Sequence, residues 1–116
     1  MRILVTGSRD WADREKVWSA LNEAATFGAM VVHGDCPTGA DALAQAWTEC
    51  QPDVNVERFP ADWAKHGKAA GPIRNQEMVD FGADLCLAFP LGASRGTRDC
   101  MRRAEAAGIP VKVIEP

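Results

Sequence analysis

Leu85-Cys86-Leu87-Ala88-Phe89-Pro90-Leu91-Gly92-Ala93-Ser94-Arg95-Gly96-Thr97-Arg98 runs from an apolar stretch through a glycine-bearing turn into a segment with helical periodicity. The apolar stretch reads as a buried strand and the segment from about 95 to 107 as a helix. The first-turn N–H groups of a helix have no intrahelical acceptors, and the positive end of the helix dipole points the same way. A strand, turn and helix start in that order therefore make an anion site. Ser94 and Thr97 supply hydroxyls, Gly96 lets a ligand approach the backbone, and Arg95 and Arg98 add positive charge. The expected occupant is a phosphate of a nucleotide-like ligand.

Outward from this stretch the same alternation repeats. Residues 2–6 form a strand ended by Gly7, and 13–27 form a helix with Asp13 as N-cap and Gly28 as its stop. Residues 30–33 form a second strand ended by Gly34, 40–50 a second helix, and 54–59 a third strand. Pro60 to Gly71 reads as a long connection, Pro72 opens a helix to about Phe81, and 111–114 form the last strand. Strict alternation implies a parallel sheet with helices on both faces, a three-layer Rossmann-like α/β fold. Strands one, two and four are nearly continuous apolar runs, whereas strands three and five carry Asn55, Glu57 and Lys112. Apolar runs belong where both faces are covered, so the five-stranded order is 3-2-1-4-5. The winding then reverses between strands one and four, and ligands bind at such a switch point.

The chain has 116 residues, 47% apolar and 25% charged, which fits one globular domain, 1–116. A net charge of −3 disfavours a sequence-independent nucleic-acid binder. Cys36, Cys50, Cys86 and Cys100 form no CxxC pair, and no leader segment or membrane-length apolar run appears. Reduced thiols and a cytoplasmic location are expected.

Three strand-end loops share glycine, hydroxyl and charge: Gly7-Ser8-Arg9-Asp10, Gly34-Asp35-Cys36-Pro37-Thr38-Gly39-Ala40-Asp41, and 92–98. Each alone is ordinary βα turn chemistry, but three converging on one crevice favour a ligand site. Ser8, Thr38, Ser94 and Thr97 suit phosphate oxygens or helix caps, and Asp35 or Asp41 suits ribose hydroxyls. Arg9 reads either as a phosphate contact or as a partner of Asp10, Asp13 or Asp35, and Trp63 either as a stacking surface or as a loop anchor. Trp11 carries the same two readings as Trp63. Arg74, with Asn75, is either a ligand contact or a solvated surface arginine. His33 and Cys36 are two residues short of a metal site, so no metal is expected, and no cofactor. Neither GxGxxG nor GxxxxGK[ST] is present, which disfavours a dehydrogenase or an NTPase.

Thr6-Gly7-Ser8-Arg9-Asp10-Trp11, the run His33 to Asp41, Arg74-Asn75-Gln76-Glu77-Met78 and Arg95-Gly96-Thr97 together resemble the YspA/YpsA-related branch of the SLOG superfamily. The resemblance implies a Rossmann-like fold, a nucleotide-like ligand and self-association into a homo-oligomer. More distantly the chain is similar to Lonely Guy phosphoribohydrolases, which cleave the base–ribose bond of nucleoside monophosphates, and to DNA-processing proteins that act on single strands. Arg74-Asn75-Gln76-Glu77-Met78 matches the former's Arg-Lys-x-x-Met segment, which makes Arg74 a catalytic or phosphate-side arginine by resemblance. Their Gly-Gly-x-Gly-Thr-x-x-Glu loop is echoed at Ala93 to Cys100, but Cys100 stands where the glutamate belongs. If the chain is a hydrolase, Asp99, or Asp35 or Asp41 across the crevice, must supply the carboxylate that steadies an oxocarbenium-like state.

Overall fold

The computed structural model describes all 116 residues. Its elements are β1 (Arg2–Gly7), α1 (Arg14–Ala24), β2 (Met30–His33), α2 (Gly39–Glu49), β3 (Asn55–Arg58), α3 (Trp63–His66), α4 (Ala70–Phe81), β4 (Leu85–Phe89), α5 (Arg95–Ala106) and β5 (Val111–Val113). All four strand pairings are parallel and the order is β3-β2-β1-β4-β5, as the strand compositions predict. The register Val5↔Leu87 and Gly7↔Phe89 ends β1 and β4 side by side at the switch point.

Strand alternation divides the core between the two faces. Ile3, Val5, Val31, Leu87 and Phe89 pack with Val17 and Leu21 of α1 and Ala44 and Trp47 of α2. Leu4, Val32 and Cys86 point the other way, onto Met78 and Val79 of α4 and Cys100 and Ala104 of α5. Complete burial of a side chain such as Phe89 stabilises the fold by about 2 kcal/mol. β3 and β5 are mostly exposed, as edge strands must be.

Two boundaries differ from the sequence-based expectation. Asp13 does cap α1, its Oδ1 accepting from Lys16 N at 3.2 Å, but the helix ends at Ala24 because Ala25 turns extended. Gly28, at φ +73°, belongs to the turn into β2 and not to the helix end. The stretch 60–71 is largely helical, with α3 and a 3-10 turn, Gly67–Ala69, leading directly into α4. Asp62 starts α3 by accepting from Lys65 N at 3.0 Å. Pro72 does lie in the first turn of α4, where a missing N–H costs nothing. No helix is long and apolar enough to cross a membrane.

Candidate functional site

At the carboxyl ends of β1 and β4 lies a crevice of about 600 Å³, within the range of small-molecule sites. Val5, Thr6 and Met78 line it beside the polar groups. Gly7, Ser8, Arg9 and Asp10 come from the β1 loop, and Gly71, Pro72, Arg74 and Asn75 from the first half of α4. Ser94, Arg95, Gly96, Thr97, Asp99 and Arg102 belong to the start of α5, with Trp63, Cys36 and Asp41 completing the lining.

The β1 loop is tied on both sides. Ser8 N donates to Phe89 O at 3.0 Å, Ala40 N donates to Ser8 O at 3.2 Å, and Thr38 Oγ1 donates to Arg9 O at 3.0 Å. Gly7 is required by close approach, since a Cβ there would collide with the Ala40 side chain and stand 2.9 Å from that of Phe89. Gly39, at φ +76°, brings the start of α2 against the Ser8 carbonyl, where no side chain fits. Arg9 itself pairs with no carboxylate and lies over the Trp63 ring at 5.5 Å.

The α5 start carries the donors that the sequence predicts. Ser94 is left-handed at φ 44° and makes no side-chain cap, and its carbonyl accepts from Arg98 N at 3.0 Å. The N–H groups of Arg95, Gly96 and Thr97 have no acceptor within the protein. The Ser94 hydroxyl donates to buried Thr97 Oγ1 at 2.8 Å, which fixes both side chains at the helix mouth. Arg98 faces elsewhere: its guanidinium holds the turn together through Ala93 O and Gly92 O, both at 3.0 Å.

Arg74 is neither idle nor wholly free. Nη1 donates to Gly34 O at 2.6 Å and Phe59 O at 3.3 Å, and Nε donates to Asn75 Oδ1 at 3.1 Å. It braces the ends of β2 and β3 while Nη2 has no protein partner. Asn75, only 3% exposed, spends its amide on Gly96 O and Asp99 Oδ2, both at 3.1 Å, and so locks α4 to the α5 start. Asp99 also accepts from Arg103 Nε at 2.9 Å and pairs with Arg102 at 3.7 Å. Partial burial pushes its carboxyl up, but the hydrogen bonds from Arg103 and Asn75 and the two arginine charges together hold it below its ordinary value.

The β2 loop plays a supporting part. Asp41 is buried; Oδ2 accepts from Gly34 N at 3.1 Å and Cys36 N at 3.4 Å, and burial pushes its carboxyl up against the pull of His33 and Arg74. Burial and then Asp41 push the Cys36 thiol up as well, which makes it a poor nucleophile. Gly34 fits only as glycine, since a Cβ would collide with the Arg74 guanidinium. Asp35, at φ 57°, reaches Arg58 at 4.0 Å. Both ring nitrogens of His33 are engaged, Nδ1 accepting from Asp35 N at 3.0 Å and Nε2 facing Gln45 Oε1 at 2.8 Å. Thus Gly7, Ser8, Arg9, Asp41, Arg74, Asn75, Ser94, Arg95, Gly96, Thr97 and Asp99 meet at the crevice. Gly34, Asp35, Thr38 and Gly39 stand behind it.

Four arginines line the crevice (9, 74, 95 and 102) against three aspartates (10, 41 and 99). Asp99 is also matched by Arg103, which stands outside the lining, so positive charge outnumbers negative in the crevice.

A family model described as YspA, cpYpsA-related SLOG family matches residues 1–66, from β1 through α3. The chain belongs to this SLOG family. Gene 61 protein of Mycobacterium phage D29 is 55% identical over 117 residues, covering 95% of this chain and 93% of that protein. No solved structure matches the chain. In this SLOG chain the family match covers the β1 and β2 loops, while Arg74, Asn75 and the α5 turn lie beyond it. Cys100, at the position of the Lonely Guy glutamate, is fully buried in the α4–α5 core, where burial pushes its thiol up to about 11.

Sequence reasoning missed Val5, Thr6, Gly71, Pro72, Met78 and Arg102 as lining residues. Arg102 had a legible signal, because Arg95, Asp99 and Arg102 follow at i, i+4 and i+7 on one helical face. Met78 and Thr6 gave none beyond core periodicity. Trp11 is a core residue, edge-to-face with Phe89 and donating its indole N–H to Asp13 O at 3.0 Å.

Proposed function

We propose that the crevice binds a nucleotide or nucleotide-derived small molecule, its phosphate resting on the first turn of α5. The observation that carries this is the trio of unpaired N–H groups at Arg95, Gly96 and Thr97, opening into a 600 Å³ crevice lined by four arginines. Backbone donors and helix dipole favour an anion, and Arg9 and Arg95 have no carboxylate partner to compete for them. SLOG membership supports a nucleotide-related ligand. Asp41, the candidate for ribose hydroxyls, lines the crevice with Oδ2 engaged by backbone donors.

Hydrolysis of a glycosidic bond finds less support. Asp99 has its carboxylate occupied by Asn75, Arg102 and Arg103, and Cys100 is a buried thiol, so no free carboxylate stands at the α5 turn to steady a ribosyl cation. Calorimetric titration with nucleoside 5′-monophosphates, followed by chromatography for free base, tests both points. Binding without release of base is the expected result. Absence of heat with every nucleotide, or equal affinity in Arg95→Ala and Arg9→Ala, refutes the assignment.

A further inference from the structure

The chain has four tryptophans, and the fold accounts for three of them. Trp11, Trp18 and Trp47 each place the indole N–H on an acceptor: Asp13 O and Leu43 O at 3.0 Å, and Asn22 Oδ1 at 2.8 Å. Trp63 is different. It donates no hydrogen bond, is 49% exposed, and stands on the crevice lining as the first residue of a four-residue helix. Leaving half of a large aromatic surface in water forgoes burial that the fold takes fully at Trp11 and Trp47 and in part at Trp18.

The ring's Cη2 lies beside the opening of α4, 3.5 Å from where a Cβ on Gly71 would stand. The guanidinium of Arg9 covers the ring at 5.5 Å, and that side chain has no other partner in the protein. A flat aromatic surface and a movable cation therefore stand in the crevice that also holds the open donors of α5.

We infer that Trp63 is the stacking platform for an aromatic base, so that the ligand is a nucleoside phosphate and not a phosphorylated sugar or free phosphate. This rests on the phosphate assignment above. The base takes the ring face that Arg9 now covers, and the displaced guanidinium turns to the phosphate. Base–aromatic stacking gives gains of this kind with any of the bases, since each has a π face. Trp63 accordingly selects for a base without selecting which one.

The test uses AMP and ribose 5-phosphate as probes, titrated calorimetrically into the full chain and into Trp63→Ala and Trp63→Phe, with a thermal melt of each variant. The expected result is that AMP binds the parent chain about tenfold more tightly than ribose 5-phosphate. Trp63→Ala removes the ratio of AMP to ribose 5-phosphate affinity, and Trp63→Phe keeps most of it. AMP also quenches tryptophan fluorescence in the parent chain and not in Trp63→Ala. Equal AMP affinity in the parent chain and Trp63→Ala overturns the stacking role alone, with the phosphate site intact. A parent chain that binds neither probe overturns both readings.

Discussion

Gly96→Ala separates stability from binding with opposite signs. Gly96 is the second residue of α5, has no positive φ, and a Cβ built on it meets no atom within 4 Å. Alanine therefore fits the backbone unstrained. It lowers the entropy of the unfolded chain, which stabilises the protein by about 0.5 kcal/mol. At this chain length that raises Tm by roughly 2–4 °C. A helical Cβ tilts toward the N-terminus, so the new methyl stands beside the open N–H groups of Arg95, Gly96 and Thr97. An anion seated there loses its close approach to the backbone, and AMP affinity falls by about tenfold, equivalent to about 1.4 kcal/mol. Differential scanning calorimetry reads the first effect and titration calorimetry the second. A variant with raised Tm and unchanged AMP affinity refutes the placing of the phosphate at α5. A lowered Tm refutes the backbone argument itself.

Arg74→Lys keeps the charge but loses the planar fork that reaches Gly34 O, Phe59 O and Asn75 Oδ1. Stability in urea is expected to drop by about 2 kcal/mol, and an unchanged midpoint shows that the brace contributes nothing. Asp99 gives a pH signature. Its folded value is held below the ordinary 3.8 by Arg103, Asn75 and Arg102, which outweigh its partial burial. A depressed carboxylate contributes stability that is complete above the unfolded value and is lost as pH falls through the folded one. The stability gap between the parent chain and Asp99→Asn is therefore full at neutral pH and closes below about pH 4; a gap independent of pH contradicts the assignment.

The sheet order was legible because burial leaves a chemical mark: Asn55, Glu57 and Lys112 are tolerable only on edge strands, and β3 and β5 are those edges. The start of α5 was legible too, since the apolar run to Phe89, the glycine-bearing turn and the periodicity from Arg95 onward mark a strand, a turn and a helix in order. The helix inside 60–71 was not, because four residues cannot display a helical period; only Asp62, three residues before Lys65, hinted at a cap. The β2 loop misled in another way. Glycines at 34 and 39 serve close packing against Arg74 and the Ser8–Arg9 backbone, a demand that looks in sequence like that of a phosphate loop. Arg74 and Asn75 sit where a ligand contact was expected, yet most of their polar groups face other protein atoms, which only long-range contacts reveal.

The bracing of the β1 loop by Phe89 O, Ala40 N and Thr38 Oγ1 has a consequence for how the protein meets its ligand. Preorganised backbone has no ordering entropy left to lose, so affinity is not taxed by loop closure. Adjustment on docking falls to the Arg9 side chain, which has no hydrogen-bond or carboxylate partner, against a sheet end already fixed as a seat.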